Sequence, residues 1–124
     1  MEQKINGQIL QKRLINFAIN VLKLIKSLPK TEENRIYGKQ IVRSSASIGA
    51  NYAEALCART KQDFLHAMNI SRKESNETHY WLQLISAVNP SFIDAFPLLL
   101  DENKQILKIF TSSIKTGRNN LNVK

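Results

Sequence analysis

Apolar residues recur every three or four positions in four long segments, a spacing typical of amphipathic helices. The segments run from about Ile5 to Leu28, from Thr31 to about Cys57, from Thr60 to about Val88, and from Leu99 to Ile114. Pro29 closes the first segment, and Gly117 stands where a C-terminal cap would end the last one. Because the connections are short, successive helices are expected to run antiparallel. The pattern predicts an all-α fold, an up-down-up-down four-helix bundle formed by residues 1–118, followed by a flexible basic tail at 119–124.

The first predicted helix carries more apolar surface than one core face requires. Ile15, Ile19 and Leu22 lie beside its main stripe and widen the apolar arc to roughly 220°. In a monomeric bundle, part of this arc would face water. The excess predicts a second apolar neighbour, and hence a homo-oligomer.

The second predicted helix has an uncharged centre of mostly small side chains, residues 44–53. Small residues allow neighbouring helices to approach closely, and their hydroxyl groups can bond back to the preceding turn. Gly49 costs about 1 kcal/mol relative to alanine inside a helix. Its presence predicts that a neighbouring side chain needs the space at this position.

Composition narrows the class of protein. A chain of 124 residues with 43% hydrophobic side chains is long enough for one buried core. Cys57 is the only cysteine, so the fold does not depend on an intrachain disulfide, which fits a reducing compartment. The N-terminal residues lack the apolar stretch of a signal peptide, and no apolar run is long enough to span a bilayer. We expect a cytoplasmic protein without a membrane partner.

Two stretches of the sequence resemble a known family. Residues 40–55, QIVRSSASIGANYAEA, are similar to the signature of the 23S rRNA intervening-sequence proteins, and residues 72–82, RKESNETHYWL, are similar to the third helix of that family. The segments KLIKSLPK at 23–30 and IKTGR at 114–118 also fit, so the resemblance covers nearly the whole chain. One departure is Ala55, where relatives usually carry glycine.

The resemblance implies an antiparallel four-helix bundle that assembles as a homopentameric ring, which agrees with the wide apolar arc of the first helix. Some relatives are encoded in insertions within large-subunit rRNA genes. Others resemble the accessory variability proteins of diversity-generating retroelements, which bind nucleic acid and a reverse transcriptase. The resemblance supplies no catalytic residues.

Few residues offer catalytic or metal-binding chemistry. His66 and His79 lie on one predicted helix, several turns apart, and are too distant to share a metal ion within the chain. Cys57 has no evident base beside it, which favours a packing role over that of a nucleophile. Neither a GxGxxG pattern nor a Walker phosphate loop occurs. We expect no enzymatic activity, no cofactor and no metal ion.

A polar stripe crosses the second and third predicted helices. It comprises Arg43, Asn51, Glu54, Glu74 and Glu77. In an antiparallel pair of helices, Arg43 would approach Glu74 or Glu77, and a guanidinium can hold a carboxylate through two parallel hydrogen bonds. A buried ion pair of this kind would fix the register of the bundle or its subunit contacts. The alternative is a pair of carboxylates for acid–base or metal chemistry, but the lack of a neighbouring histidine favours the structural interpretation.

Positive charge is concentrated on the first helix. The chain holds 18 Lys and Arg against 10 Asp and Glu, a formal charge of +8, of which residues 1–30 contribute +5. The candidate nucleic-acid-binding residues are Lys12, Arg13, Lys23, Lys26 and Lys30, with an extension through Lys61, Lys104, Lys108, Lys115, Arg118 and Lys124. No aromatic residue is interleaved with these cations, so binding to RNA or DNA would rest on phosphate contacts and depend little on base sequence.

A ring would repeat this basic surface and strengthen weak contacts by avidity. Two alternatives remain open. A lysine-rich face is often ordinary solvation. The chain could also be an interaction scaffold that docks a partner protein such as a polymerase, with no direct role at nucleic acid.

Overall fold

Four long helices make up most of the structure. The computed structural model describes residues 7–123, and the side chains of residues 7–119. The helices are α1 (Gly7–Ser27), α2 (Glu32–Leu56), α3 (Lys61–Val88) and α4 (Pro97–Val123), with a 3₁₀ segment at Pro90–Ala95. No strand occurs within residues 7–123, which confirms the predicted all-α fold. Within the same range, no helix has the length and apolarity needed to cross a bilayer.

Local sequence signals set the beginnings of α2 and α3. Oγ1 of Thr31 accepts a hydrogen bond from the backbone N–H of Asn34 (3.2 Å). Oγ1 of Thr60 accepts one from the backbone N–H of Asp63 (3.0 Å). Each threonine satisfies an amide that has no partner within the first helical turn. Both caps stand at the residues where the second and third predicted segments begin.

The end of α4 differs from the prediction. The helix continues through Gly117 to Val123, and no described glycine has a positive φ, so the predicted C-terminal cap at Gly117 is wrong. Gly117 instead lies against α3, where a Cβ atom would come within 2.6 Å of Cδ2 of Leu65. The glycine serves the close approach of two helices. Ile5 and Lys124 lie outside the described residues, and the division of the chain at residue 118 stays a prediction.

One hydrophobic core lies between the four helices. Helix α1 packs on α2 and α4, and α3 packs on the same two helices. The core draws on all four helices. Its buried residues are Leu10, Leu14, Phe17, Val21, Leu24, Leu28, Ile41, Ile48, Tyr52, Ala55, Ala67, Met68, Leu82, Ile85, Phe96, Ile106, Phe110 and Ile114.

Buried hydroxyl groups join α2 to α3 through the centre of small residues. Oγ of Ser44 and Oγ1 of Thr78 are 2.8 Å apart, and Oγ of Ser71 donates to the carbonyl of Ile48 (2.8 Å). Residue numbers fall along α3 as they rise along α2, so the two helices run antiparallel at this contact. The bonds satisfy polar groups that close helix packing removes from water.

Two glycines of α2 face α1 at different distances. A Cβ atom at Gly49 would stand 3.4 Å from Cβ of Leu14, an ordinary van der Waals separation. A Cβ atom at Gly38 would come within 2.8 Å of Cγ2 of Ile25, which is too close. The position on α2 that most requires glycine is therefore Gly38, whereas the sequence analysis predicted this requirement at Gly49.

Candidate nucleic-acid interface

Three of the predicted cationic residues share the outer surface of α1. Lys12, Lys23 and Lys26 are exposed, and helical geometry places them within about 60° of one another around the axis. None of them is within salt-bridge distance of a carboxylate in the described part of the chain. We call these three lysines the α1 basic surface. Their ammonium groups stand in solvent, where a polyanion can reach them.

Arg13 was predicted among the nucleic-acid contacts, but the structure pairs it with α4. Its Nε donates to Oε2 of Glu102 (2.7 Å), and its Nη2 donates to Oε1 of Glu102 (2.9 Å) and to Oε1 of Gln105 (2.8 Å). The hydrogen bond to Glu102 raises the pKa of Arg13, while partial burial acts against it. The guanidinium therefore holds α1 against α4, and Glu102 compensates its charge locally.

Lys30 lies beyond the end of α1, in the connection to α2. With Lys26 and Arg35 it lines a cleft of about 260 Å³ at this connection. Glu32 lines the same cleft, but it is paired with Arg35 at 2.6 Å. The two lysines therefore supply the uncompensated charge, and the cleft extends the α1 basic surface toward α2.

Exposed apolar residues lie among the lysines of α1. Ile15, Ile19 and Leu22 are 50%, 43% and 38% exposed, in line with the wide apolar arc of the sequence. A single exposed apolar residue is ordinary, but three on one helix form a patch that favours contact with another chain. The same outer face of α1 offers both cationic and apolar groups.

The apolar surface continues at a groove between α1 and α4. The groove has a volume of about 490 Å³. Its lining includes the apolar Ile9 and Leu98, the neutral polar Asn16 and Asn20, and the charged Lys12, Arg13 and Glu102. Ile9 is 65% exposed and Leu98 is 86% exposed. Contact between α1 and α4 is sparser than that between the other packed pairs of long helices. This seam leaves apolar side chains exposed on the surface of the chain.

Arg43 of α2 lies between two carboxylates of α3. Its Nη1 donates to Oε1 of Glu74 (3.3 Å), and its Nη2 donates to Oε2 of Glu77. Oε2 of Glu77 also accepts a hydrogen bond from Nε1 of Trp81 (2.9 Å). The ion pair is less buried than expected, because the Arg43 side chain is 48% exposed. The donors around Glu77 favour its ionised form, which supports a structural role over acid–base chemistry.

Asn51 and Glu54 lie apart from this cluster, although the sequence grouped all five residues into one network. Nδ2 of Asn51 donates to the carbonyl of Ser47 (2.9 Å). Asn51 and Glu54 line a separate cleft of about 430 Å³ near the connection of α2 and α3, together with Cys57 and His66. The predicted network is therefore divided into two places. No group of three side chains suited to a metal ion occurs among the described residues.

Comparisons with known proteins agree with this architecture. The family model of the 23S rRNA-intervening sequence protein matches residues 8–112. The chain belongs to this family. It is also similar to a crystal structure from Bacteroides thetaiotaomicron VPI-5482, of a protein with unknown function from the S23 ribosomal protein family. That similarity has a TM-score of 0.80 and 32% sequence identity, and it covers 90% of this chain and 99% of the other. No curated protein matches the chain.

Two polar partners in this 23S rRNA-intervening sequence family member were missed by sequence reasoning. Trp81 follows Glu77 by four residues, and this helical spacing was a usable signal for their hydrogen bond. Glu102 is 89 positions from Arg13, and no local pattern connects them. The first contact follows from the periodicity of one helix, whereas the second depends on how two helices pack.

The carboxyl group of Glu77 should make the stability of this family member sensitive to acid. The hydrogen bond from Trp81, followed by the interactions with Arg43, lowers the pKa of Glu77 against the opposing effect of burial. A lowered pKa in the folded state means stabilisation that is present above the unfolded pKa and lost as the pH falls through the folded pKa. Glu77→Gln should therefore lose less stability than the wild type between pH 7 and pH 3, as measured by urea denaturation.

A companion variant separates this effect from general acid denaturation. Trp81→Phe removes the hydrogen-bond donor with the largest effect on the pKa of Glu77. The stability of this variant should therefore also depend less on pH than that of the wild type. Tyr80→Phe changes an exposed neighbour of Trp81 and should keep the wild-type dependence. Equal acid dependence in all four proteins would contradict the assigned role of Glu77.

Proposed function

We propose that this family member is a non-catalytic cytoplasmic protein that binds RNA or DNA through phosphate contacts from a basic surface. The α1 basic surface carries the proposal, because its three ammonium groups are exposed and lie apart from the described carboxylates. A formal charge of +8 attracts polyanions over a longer range. The exposed free thiol of Cys57 supports a reducing compartment.

The proposal includes an up-down-up-down bundle that assembles as a homopentameric ring. The antiparallel contact of α2 with α3 supports the arrangement within one chain. Exposed apolar residues of α1 and the groove between α1 and α4 supply surface for contacts between subunits. A ring would present several copies of each basic surface, so that weak phosphate contacts add through avidity.

A second candidate is an interaction scaffold that docks a partner protein such as a polymerase. The exposed Ile15, Ile19 and Leu22 favour it, because apolar groups contribute to protein interfaces but not to phosphate contacts. Docking through apolar surface would depend weakly on salt, whereas phosphate contacts weaken steeply as salt rises. The salt response therefore separates the two functions.

Titration of fluorescent structured RNA and duplex DNA at low and near-physiological salt tests the proposed function. The oligomeric mass is measured in the same buffer. We expect salt-sensitive binding by an oligomer, and loss of binding without loss of assembly in the triple variant Lys12→Glu, Lys23→Glu, Lys26→Glu. The matched control is Lys39→Glu, Arg59→Glu, Lys73→Glu, which reverses three exposed cations elsewhere and lowers the formal charge equally.

Each outcome of this titration decides one point. Binding that persists in the α1 variant would reject the α1 basic surface as the site. Equal losses in the α1 variant and the matched control would show that net charge, and not a surface, determines the affinity. No binding at low salt would reject the nucleic-acid function and favour the scaffold.

A further inference from the structure

A second cationic surface lies between α3 and α4, away from the α1 basic surface. It is a groove of about 460 Å³, and we call it the α3–α4 basic groove. Its lining residues are Arg72, Thr111, Ile114, Lys115, Arg118 and Asn119. Three of these six residues are cations and none is an acid. This groove therefore concentrates positive charge in a concave site.

Two of the groove cations, Lys115 and Arg118, belong to a longer stripe on α4. Lys104, Lys108, Thr111, Lys115 and Arg118 are all exposed, at spacings of four, three, four and three residues that keep them on one side of the helix. At 1.5 Å per residue the stripe is about 21 Å long. The chain contains no Asp or Glu after Glu102, so no acidic side chain on this half of α4 offsets the charge.

The charges of the groove are uncompensated in the described part of the chain. The ion pairs between described residues involve Arg13, Arg35 and Arg43. Arg72 has a different partner, because its Nε donates to Oδ1 of Asn69 (2.9 Å). This bond orients the guanidinium without neutralising it.

Helix packing fixes the shape of the groove. Gly117 lies on α4 next to Leu65 of α3, and the lack of a side chain there lets the two helices approach closely. Ile114 is buried at the base of the groove. Thr111 and Asn119 add neutral hydrogen-bonding groups beside the cations. Charged donors around a concave, partly apolar base suit a phosphate group with its sugar.

We infer that the α3–α4 basic groove binds the phosphodiester backbone of a nucleic acid, at a site separate from the α1 basic surface. The inference rests on the proposed function for the class of its ligand. The groove lacks the exposed isoleucine and leucine side chains that lie among the lysines of α1, so its cations do not compete with an apolar interface. No aromatic residue lines the groove, so contact with bases by stacking is absent and binding is tolerant of sequence.

Three variants of equal net charge test the groove. The groove variant is Lys108→Glu, Lys115→Glu, Arg118→Glu, which reverses two cations of the groove and the adjoining lysine of the α4 stripe. It is compared with the α1 variant and the matched control described above. Affinity for duplex DNA and structured RNA is measured from about 50 to about 200 mM salt. Loss of three phosphate contacts lowers the log–log slope by about 2.7 for duplex DNA. Across this range the wild-type affinity should therefore fall roughly 40-fold more than that of the groove variant.

A neutral variant distinguishes the loss of cationic contacts from a folding defect caused by the introduced glutamates. Lys108→Gln, Lys115→Gln, Arg118→Gln removes the same charges without placing acids near the end of α4, and it should show the same loss of slope. The Nε–H resonances of Arg72 and Arg118 should also shift in NMR spectra when a single-stranded oligonucleotide is added to the wild type. Circular dichroism and oligomeric mass should be unchanged in every variant.

The outcomes separate the groove from the proposed function. If only the α1 variant loses affinity, the groove inference is wrong while nucleic-acid binding stands. Equal losses of affinity in the groove variant and the matched control would also contradict the groove inference, because the change in net charge would explain both losses. No wild-type binding to nucleic acid, or binding to anionic lipid vesicles alone, would reject both.

Discussion

Asn89→Ala is expected to lower the free energy of unfolding by about 2–3 kcal/mol. Nδ2 of Asn34 donates to Oδ1 of Asn89 (2.8 Å), and Nδ2 of Asn89 donates to Oδ1 of Asn34 (2.7 Å). Both amides are buried, so alanine at position 89 leaves the Asn34 oxygen without its donor. An unpaired buried polar group costs about 1–3 kcal/mol, and the lost packing of the side chain adds to this. Urea denaturation at neutral pH measures the change.

A double-mutant cycle isolates the contact between the two amides. Asn34→Ala should also destabilise the protein, but the double variant should lose at least about 1 kcal/mol less than the sum of the single losses. Asn76→Ala, at an exposed position on α3, is the control and should change the stability by less than about 0.5 kcal/mol. Additive losses at positions 34 and 89 would show that the amide pair does not stabilise the fold.

The second large effect is expected at Gly38. Alanine there would place its Cβ 2.8 Å from Cγ2 of Ile25, an atom attached directly to a β-carbon that moves little without the helix. Overpacking of this kind costs about 1–3 kcal/mol and should exceed the gain in helix propensity of about 1 kcal/mol. Gly38→Ala should therefore be less stable than the wild type in thermal and urea denaturation.

Gly49 provides the matched comparison on the same helix. Gly49→Ala should be neutral or more stable by up to about 1 kcal/mol, because its Cβ would make an ordinary contact with Leu14. Gly49→Leu should be destabilised, since the rest of the side chain would have to enter the contact between α1 and α2. If Gly38→Ala were stable and Gly49→Ala destabilised, the conclusion that Gly38 makes the tighter contact with α1 would be wrong.

Local signals explain why so much of the secondary structure could be predicted. Thr31 and Thr60 are caps because a threonine side chain can reach an amide three residues ahead in any helix. The prediction was wrong at Gly117. A glycine near a helix end has the same local sequence pattern whether it caps the helix or allows another helix to approach closely. The side chain of Leu65 decides between these, and it comes from another helix.

The candidate site could be predicted only in part. Exposure of Lys12, Lys23 and Lys26 follows from the periodicity of α1. The pairing of Arg13 with Glu102 could not be predicted in this way. The periodicity of α1 places Arg13 at the edge of its polar face, but it does not show which residue of another helix lies beside it. The α3–α4 basic groove likewise needs Arg72 and Arg118 on two helices to meet.

The sequence by itself determined the all-α class, the approximate limits of the helices and the family. The class and the helix limits depend on interactions between residues a few positions apart, so the apolar spacing and the capping residues indicate them. The tertiary structure alone decided the partners of Arg13 and Asn34, the tight contact at Gly38 and the existence of the α3–α4 basic groove. Each of these depends on the rotation and separation of packed helices, which are set by the fit of many side chains at once and leave no local pattern in the chain.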